Sequence, residues 1–248
     1  MEMLAEDRKY FEDFARLAHE QQARLEDYYI QIQRSLRNEK GGVTSLRPNE
    51  LHGLQLALAH IQPDESCLIL GCGCGVEAGW LLANGVKNLT GLDVAEGLLA
   101  TCEKTLGIKT IRGDMRKTGL PEKAFDVVIT HRSLHHMFYP FQALEEFARI
   151  SRRKVMILDE PVRSWLKATF RRFSKERIIS AANIYEYQFV REDVHRYMAF
   201  NGFEVAATSR YWETMQSLKA NRLLNAFAPR AGNRFSAIYR RFGAGQKG

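Results

Sequence analysis

The chain has 248 residues, of which 45% are apolar and 26% charged, with a formal net charge of +7. That length holds one well-buried domain with attached elements, and the composition is that of a globular protein, not a disordered or fibrous one. No apolar run approaches the roughly 20 residues that span a bilayer, and the first thirty residues are charged throughout, unlike a secretory leader, so the expected compartment is the cytoplasm.

Residues 1–62 read as an N-terminal helical cap. Leu4, Phe11, Phe14, Leu17, Leu25, Tyr28, Ile32 and Leu36 recur at helical spacing, predicting one amphipathic helix or two in line. Gly41, Gly42 and Pro48 break that pattern, and "ELHGLQLALAHI" predicts a further helix ending before Pro63. From 63 to 161 the pattern changes. Short apolar stretches, "SCLILG", "NLTGLDV", "IKTIRGD", "FDVVITH" and "RKVMILDE", alternate with the helical periods "VEAGWLLANG", "AEGLLATCEKTLG" and "PFQALEEFARIS". Continuous apolar strands alternating with helices predict a parallel sheet covered on both faces.

The rhythm breaks after Pro161. Residues 162–190 form a basic and aromatic stretch, with Trp165, Phe170 and Phe173 among Arg163, Lys167 and Arg171, and predict a helical lid over a substrate. Residues 191–248 return to the sheet through the helix "REDVHRYMAFNG" and the strands "FEVAATSRY" and "NRFSAIYRR". Charge divides along the chain: residues 1–148 carry 16 Lys/Arg against 21 Asp/Glu, and residues 149–248 carry 20 against 8. The basic part suits an anionic partner: a phosphorylated or carboxylated small molecule, a lipid surface, or nucleic acid.

The cysteines, at 67, 72, 74 and 102, form no Cys-x-x-Cys pair and have no histidine at zinc-finger spacing. Reduced thiols are expected, and no metal site. The glycines of "GCGCG" (71–75) carry more meaning, because a strand-to-helix turn without side chains lets backbone N–H groups approach a ligand. Gly73-x-Gly75-x-x-Ala78 also satisfies the dinucleotide fingerprint. Asp93 ends the next strand, where a carboxylate can accept both hydroxyl hydrogens of a ribose. "GDM" (113–115) then offers an acceptor for an exocyclic amine and an apolar side chain for a purine ring.

Together "LILGCGCG", "LTGLDVAEGLLATCEK", "IRGDMRKTGLPEKAFDVVITHRSLHHM" and "VMILDEP" resemble the class I S-adenosyl-L-methionine (SAM) dependent methyltransferases. The likeness is to the small-molecule, methyltransferase-domain-11-like type that includes the quinone-biosynthesis enzymes, and it covers about 66–161. It implies a Rossmann-like, doubly wound α/β fold with a seven-stranded sheet whose last strand is antiparallel, and S-adenosyl-L-homocysteine as product. The resemblance also implies that Gly71, Cys72, Gly73 and Gly75 lie along the methionine part of SAM. Asp93 then holds the ribose, Val94 packs on the adenine, Asp114 takes its amine, Met115 lies beside the ring, and His131 lines the methyl-donor side. One position departs from the family. An acid often stands where this chain has Ile69, so cofactor binding is expected to lean on backbone and on Glu77. The turn usual before the fifth strand is replaced by "ISRRK" (150–154), expected to be shorter.

Methyl transfer is a displacement at an activated sulfonium, so the protein must align an acceptor, exclude water and, where needed, remove a proton. His131 and His135 at the end of the fourth strand are the candidate bases, with His136 beside them. Asp159 and Glu160 end the fifth strand, and Pro161 favours one acid pointing into the cleft. Glu160 is the candidate substrate ligand or base. The leading expectation is transfer of a methyl group to a small-molecule, anionic or lipid- or sugar-linked acceptor, with transient contact to a membrane surface. The alternatives are a nucleic-acid-directed methyltransferase, disfavoured because no RNA- or DNA-binding module is recognisable, a non-catalytic SAM binder, and a nicotinamide-dependent reductase.

Overall fold

The structure, a computed structural model, describes residues 51–137, 139–162, 187–212, 226 and 232–243. The expected helices of 3–36 and nearly all of the lid at 162–190 lie outside the described residues. The anticipated strands form: β1 (Cys67–Leu70), β2 (Leu89–Asp93), β3 (Lys109–Arg112), β4 (Phe125–His131), β5 (Ser151–Pro161), β6 (Phe203–Tyr211) and β7 (Arg234–Arg241). They make one sheet in the order β3-β2-β1-β4-β5-β7-β6. The first five pair in parallel, and β7 runs antiparallel to both β5 and β6. This is the Rossmann-like fold expected.

Five α-helices are described: α1 (His52–Leu58), α2 (Val76–Ala83), α3 (Glu96–Leu106), α4 (Pro140–Ile150) and α5 (Arg191–Phe200). α4 opens on Pro140, whose missing N–H costs nothing in a first turn. Alternation along the strands divides the core into two layers. Leu68, Leu70, Val128 and Val155 face α4 and α5 with Phe147, Val194 and Met198. Cys67, Ile69, Val127 and Ile129 face α1, α2 and α3 with Leu54, Ala78 and Leu81. Ile69 is thus an ordinary member of the second layer, 2% exposed.

The "ISRRK" segment contains no turn at all: α4 ends at Ile150 and β5 begins at Ser151. The junction is held at the amino end of the sheet by Glu65, 2% exposed, whose two carboxylate oxygens each accept from Lys154 Nζ at 2.8 Å. Strand order reverses between β1 and β4, so the crevice where such sheets bind ligands opens beyond their carboxyl ends. The glycine loop and His131 both stand there.

Candidate active site

The loop after β1 turns through left-handed residues at Gly71 (φ 70°), Gly73 (φ 53°) and Gly75 (φ 86°). Space enforces the choice as well. A Cβ on Gly71 would lie 2.6 Å from Ser133 Oγ, and one on Gly75 would lie 2.5 Å from Cys102 Sγ. The loop is therefore packed tightly at Gly71 and Gly75, where no side chain fits. Its position is fixed by backbone: Gly71 N and Cys72 N donate to Leu92 O at 2.9 and 3.1 Å.

Asp93 joins this loop to the end of β2. Gly73 N donates to its Oδ2 and Ala95 N to its Oδ1, each at 2.9 Å. Burial raises its carboxyl above the usual range although backbone N–H groups pull the other way. Each oxygen retains a lone pair for a ligand hydroxyl. Val94, beside it, is 38% exposed. Across the cleft, Met115 reaches the loop, its Cε 3.2 Å from where a Gly71 Cβ would sit. Asp114 is already engaged: Arg116 Nη2 donates to its Oδ2 at 2.5 Å, Arg116 Nε reaches both oxygens at 3.0 and 3.1 Å, and Arg116 N donates at 2.8 Å. Burial works to raise the Asp114 carboxyl, but those bonds hold it below the usual range.

The Cys72 side chain turns inward. Its Sγ is 3.9 Å from Cys102 Sγ, so this residue offers a ligand only its backbone. Burial, with the charge of Glu77 adding to it, pushes the Cys74 thiol up to about 11. Among the described residues no group of three or more His, Cys, Asp or Glu is arranged to hold a metal ion.

The three candidate catalytic residues are each committed to protein partners. His131, with a side chain 1% exposed, donates from Nδ1 to Glu77 Oε1 at 3.0 Å and from Nε2 to Asp159 Oδ2 at 3.1 Å. Burial alone would lower its pKa; the two carboxylates reverse this and raise it to about 9. It is a buried imidazolium with no open nitrogen, not the base expected. Glu160 is fully buried and accepts from Ser133 N, Leu134 N and His135 N at 3.0–3.1 Å and from His135 Nδ1 at 2.7 Å. This carboxylate caps the 3₁₀ turn Leu134–His136 and does not reach the cleft. The expectation that one acid of the Asp159–Glu160 pair points into the cleft fails for both. Asp159 is also fully buried, accepting from Gly53 N at 3.1 Å and Ser236 Oγ at 2.7 Å.

Sequence reasoning missed that last arrangement, in which Asp159 ties α1, β4 and β7 together. Asp159 and Gly53 are 106 residues apart, and no local pattern announces such a bond.

The profile of a methyltransferase domain family matches residues 68–158. Those residues are a SAM-dependent methyltransferase domain of class I. No curated protein sequence matches the chain. Among solved structures, the methyltransferase is similar in fold to the magnesium protoporphyrin IX methyltransferase of Synechocystis, solved with S-adenosylhomocysteine bound. The two share 18% identity over 88% of this chain and 98% of that one, with a TM-score of 0.57. A possible histamine N-methyltransferase of Thermotoga maritima gives 18% identity, 78% and 88% coverage, and a TM-score of 0.55. A Haloferax volcanii methyltransferase complexed with the activator Trm112 gives 14%, 77% and 89%, and 0.58. The methyl donor of the domain is SAM, and its reaction class is methyl transfer. No helix among the described residues of the methyltransferase is long and apolar enough to cross a membrane.

Proposed function

We propose that the methyltransferase acts on a small-molecule acceptor carrying an anionic group, and that neither His131 nor Glu160 serves as a base. The observation that carries the second half is the commitment of both His131 nitrogens and of the Glu160 carboxylate to buried partners. A cleft in which His131 and Glu160 are held internally suits an acceptor atom that is already nucleophilic, for which alignment and water exclusion suffice. Bound there, SAM supplies an electrophilic methyl group on a sulfonium.

The chain's own groups fit that donor. The backbone of Gly71, Cys72, Gly73 and Gly75 lines its amino-acid part. Asp93, with a spare lone pair on each oxygen, takes the ribose hydroxyls. Val94 and Met115 offer apolar surface to the adenine, and Asp114, oriented by Arg116, takes the amine. The cleft's charge supports a cationic donor over a nicotinamide dinucleotide. The carboxylate of Glu77 stands close enough to Asp93 to disfavour its ionisation, and a pyrophosphate would add like charge.

For the acceptor, the basic balance of residues 149–248 supports an anion. A lipid- or sugar-linked acceptor, and contact with a membrane surface, rest on the basic insertion at 162–190. The proteins similar in fold include one named for magnesium protoporphyrin IX, a small molecule.

The test is incubation of the purified protein with methyl-labelled SAM and either a fractionated metabolite extract or total RNA. Label entering an anionic small-molecule fraction is the expected outcome. Label entering RNA, with uptake falling steeply as salt rises, would overturn the acceptor assignment in favour of a nucleic-acid substrate.

A further inference from the structure

Glu77, His131 and Asp159 form a continuous buried chain with unequal ends. Asp159 is saturated: His131, Gly53 and Ser236 all donate to it, and its side chain is fully buried. Glu77 accepts one bond, from His131 Nδ1 at 3.0 Å, and its side chain is 23% exposed. With the ring protonated, two carboxylates face one cation, and the excess negative charge resides at the open end, on Glu77.

That end stands at the glycine loop. Glu77 lies in the first turn of α2, two residues after Gly75. Its charge is felt by Cys74 and by Asp93 on the far side of the loop, where it opposes ionisation. No cation of the described residues pairs with Glu77 other than His131. A half-open carboxylate pinned by an internal imidazolium cannot swing away to solvent as a surface glutamate would, so its field is fixed on the cleft.

We propose that Glu77, held in place by His131, sets the preference of the cleft for the positively charged donor over its uncharged thioether product. This rests on the SAM-binding reading given above. SAM and S-adenosylhomocysteine share the adenosine and the amino-acid end and differ by the methyl group and the sulfonium charge. A fixed negative charge beside the loop acts alike on the ammonium group they share and additionally on the sulfonium that SAM alone carries, so it discriminates between them and favours release of product after transfer.

The test compares calorimetric dissociation constants of SAM and S-adenosylhomocysteine for the wild type, Glu77→Gln and Glu77→Asp, with thermal melts as a check of folding. Glu77→Gln is expected to weaken SAM binding about tenfold and S-adenosylhomocysteine binding by less than about threefold, as befits a charge acting over several ångströms. Glu77→Asp keeps the charge and is expected to restore most of the preference, which a merely structural role would not do. Equal loss of both ligands in Glu77→Gln, or an aspartate variant as indifferent as the glutamine one, would overturn the proposal and leave the donor assignment standing. A folded wild type that binds neither ligand would overturn both.

Discussion

The proposed donor site leans most on one side chain, Asp93. Replacing it by alanine removes the proposed ribose acceptor and frees Gly73 N and Ala95 N, which it now holds at 2.9 Å. Loss of such a charge-assisted contact costs roughly 1.5–3 kcal/mol. Asp93→Ala is thus expected to weaken SAM binding at least about tenfold, and unchanged calorimetric affinity would place the ribose elsewhere. His131 makes a different prediction, in stability. Its pKa, raised from 6.5 to about 9, means that the folded protein keeps a proton the unfolded chain has given up. The stabilisation is complete below pH 6.5 and disappears as pH rises from there through 9, with an upper bound on the order of 3 kcal/mol. Melting temperature is expected to fall across that window, and Asp159→Asn to flatten the fall. A wild-type melting temperature that stays level up to pH 9.5 would show that the ring is neutral.

At the scale of elements, α4 is held in place by packing, with Ala143, Leu144, Phe147 and Ile150 among its buried residues. Phe147 is fully buried between it and the sheet. Phe147→Ala is expected to cost about 3–5 kcal/mol in urea unfolding, through lost burial and the cavity left behind. The elements themselves were legible in the sequence. The strands of a sheet covered on both faces are apolar without interruption, and all seven anticipated strands form within a residue or two of their expected limits. The glycine loop was legible for the same kind of reason, since its constraint is local backbone geometry.

Side-chain partners were not legible. His131 meets Glu77 across 54 residues and Asp159 across 28, and only the fold brings them together. The misreading of Asp159 and Glu160 has a specific origin. Pro161 forecasts an extended exit, but the β5–β7 pairing shifts register between Ile157 and Glu160, and Asp159 takes φ 56°. That irregularity turns one acid toward α1 and the other toward the 3₁₀ turn, so both are consumed internally.

Across the whole molecule, the crevice lies where β1 and β4 part, and the residues that line it come from the carboxyl ends of several strands. The relay through His131 runs beneath that crevice from the first turn of α2 to β7, so the donor loop and the antiparallel end of the sheet share one set of hydrogen bonds. The placement of β7 has a consequence for synthesis on the ribosome. β6 pairs with β7 alone, and β7 lies between it and β5. Until residues 234–241 emerge, β6 has no neighbour and the outer edge of β5 is bare. The nascent chain therefore carries one adhesive border once β5 is made and a second once β6 follows, and the arrival of β7 seals both together.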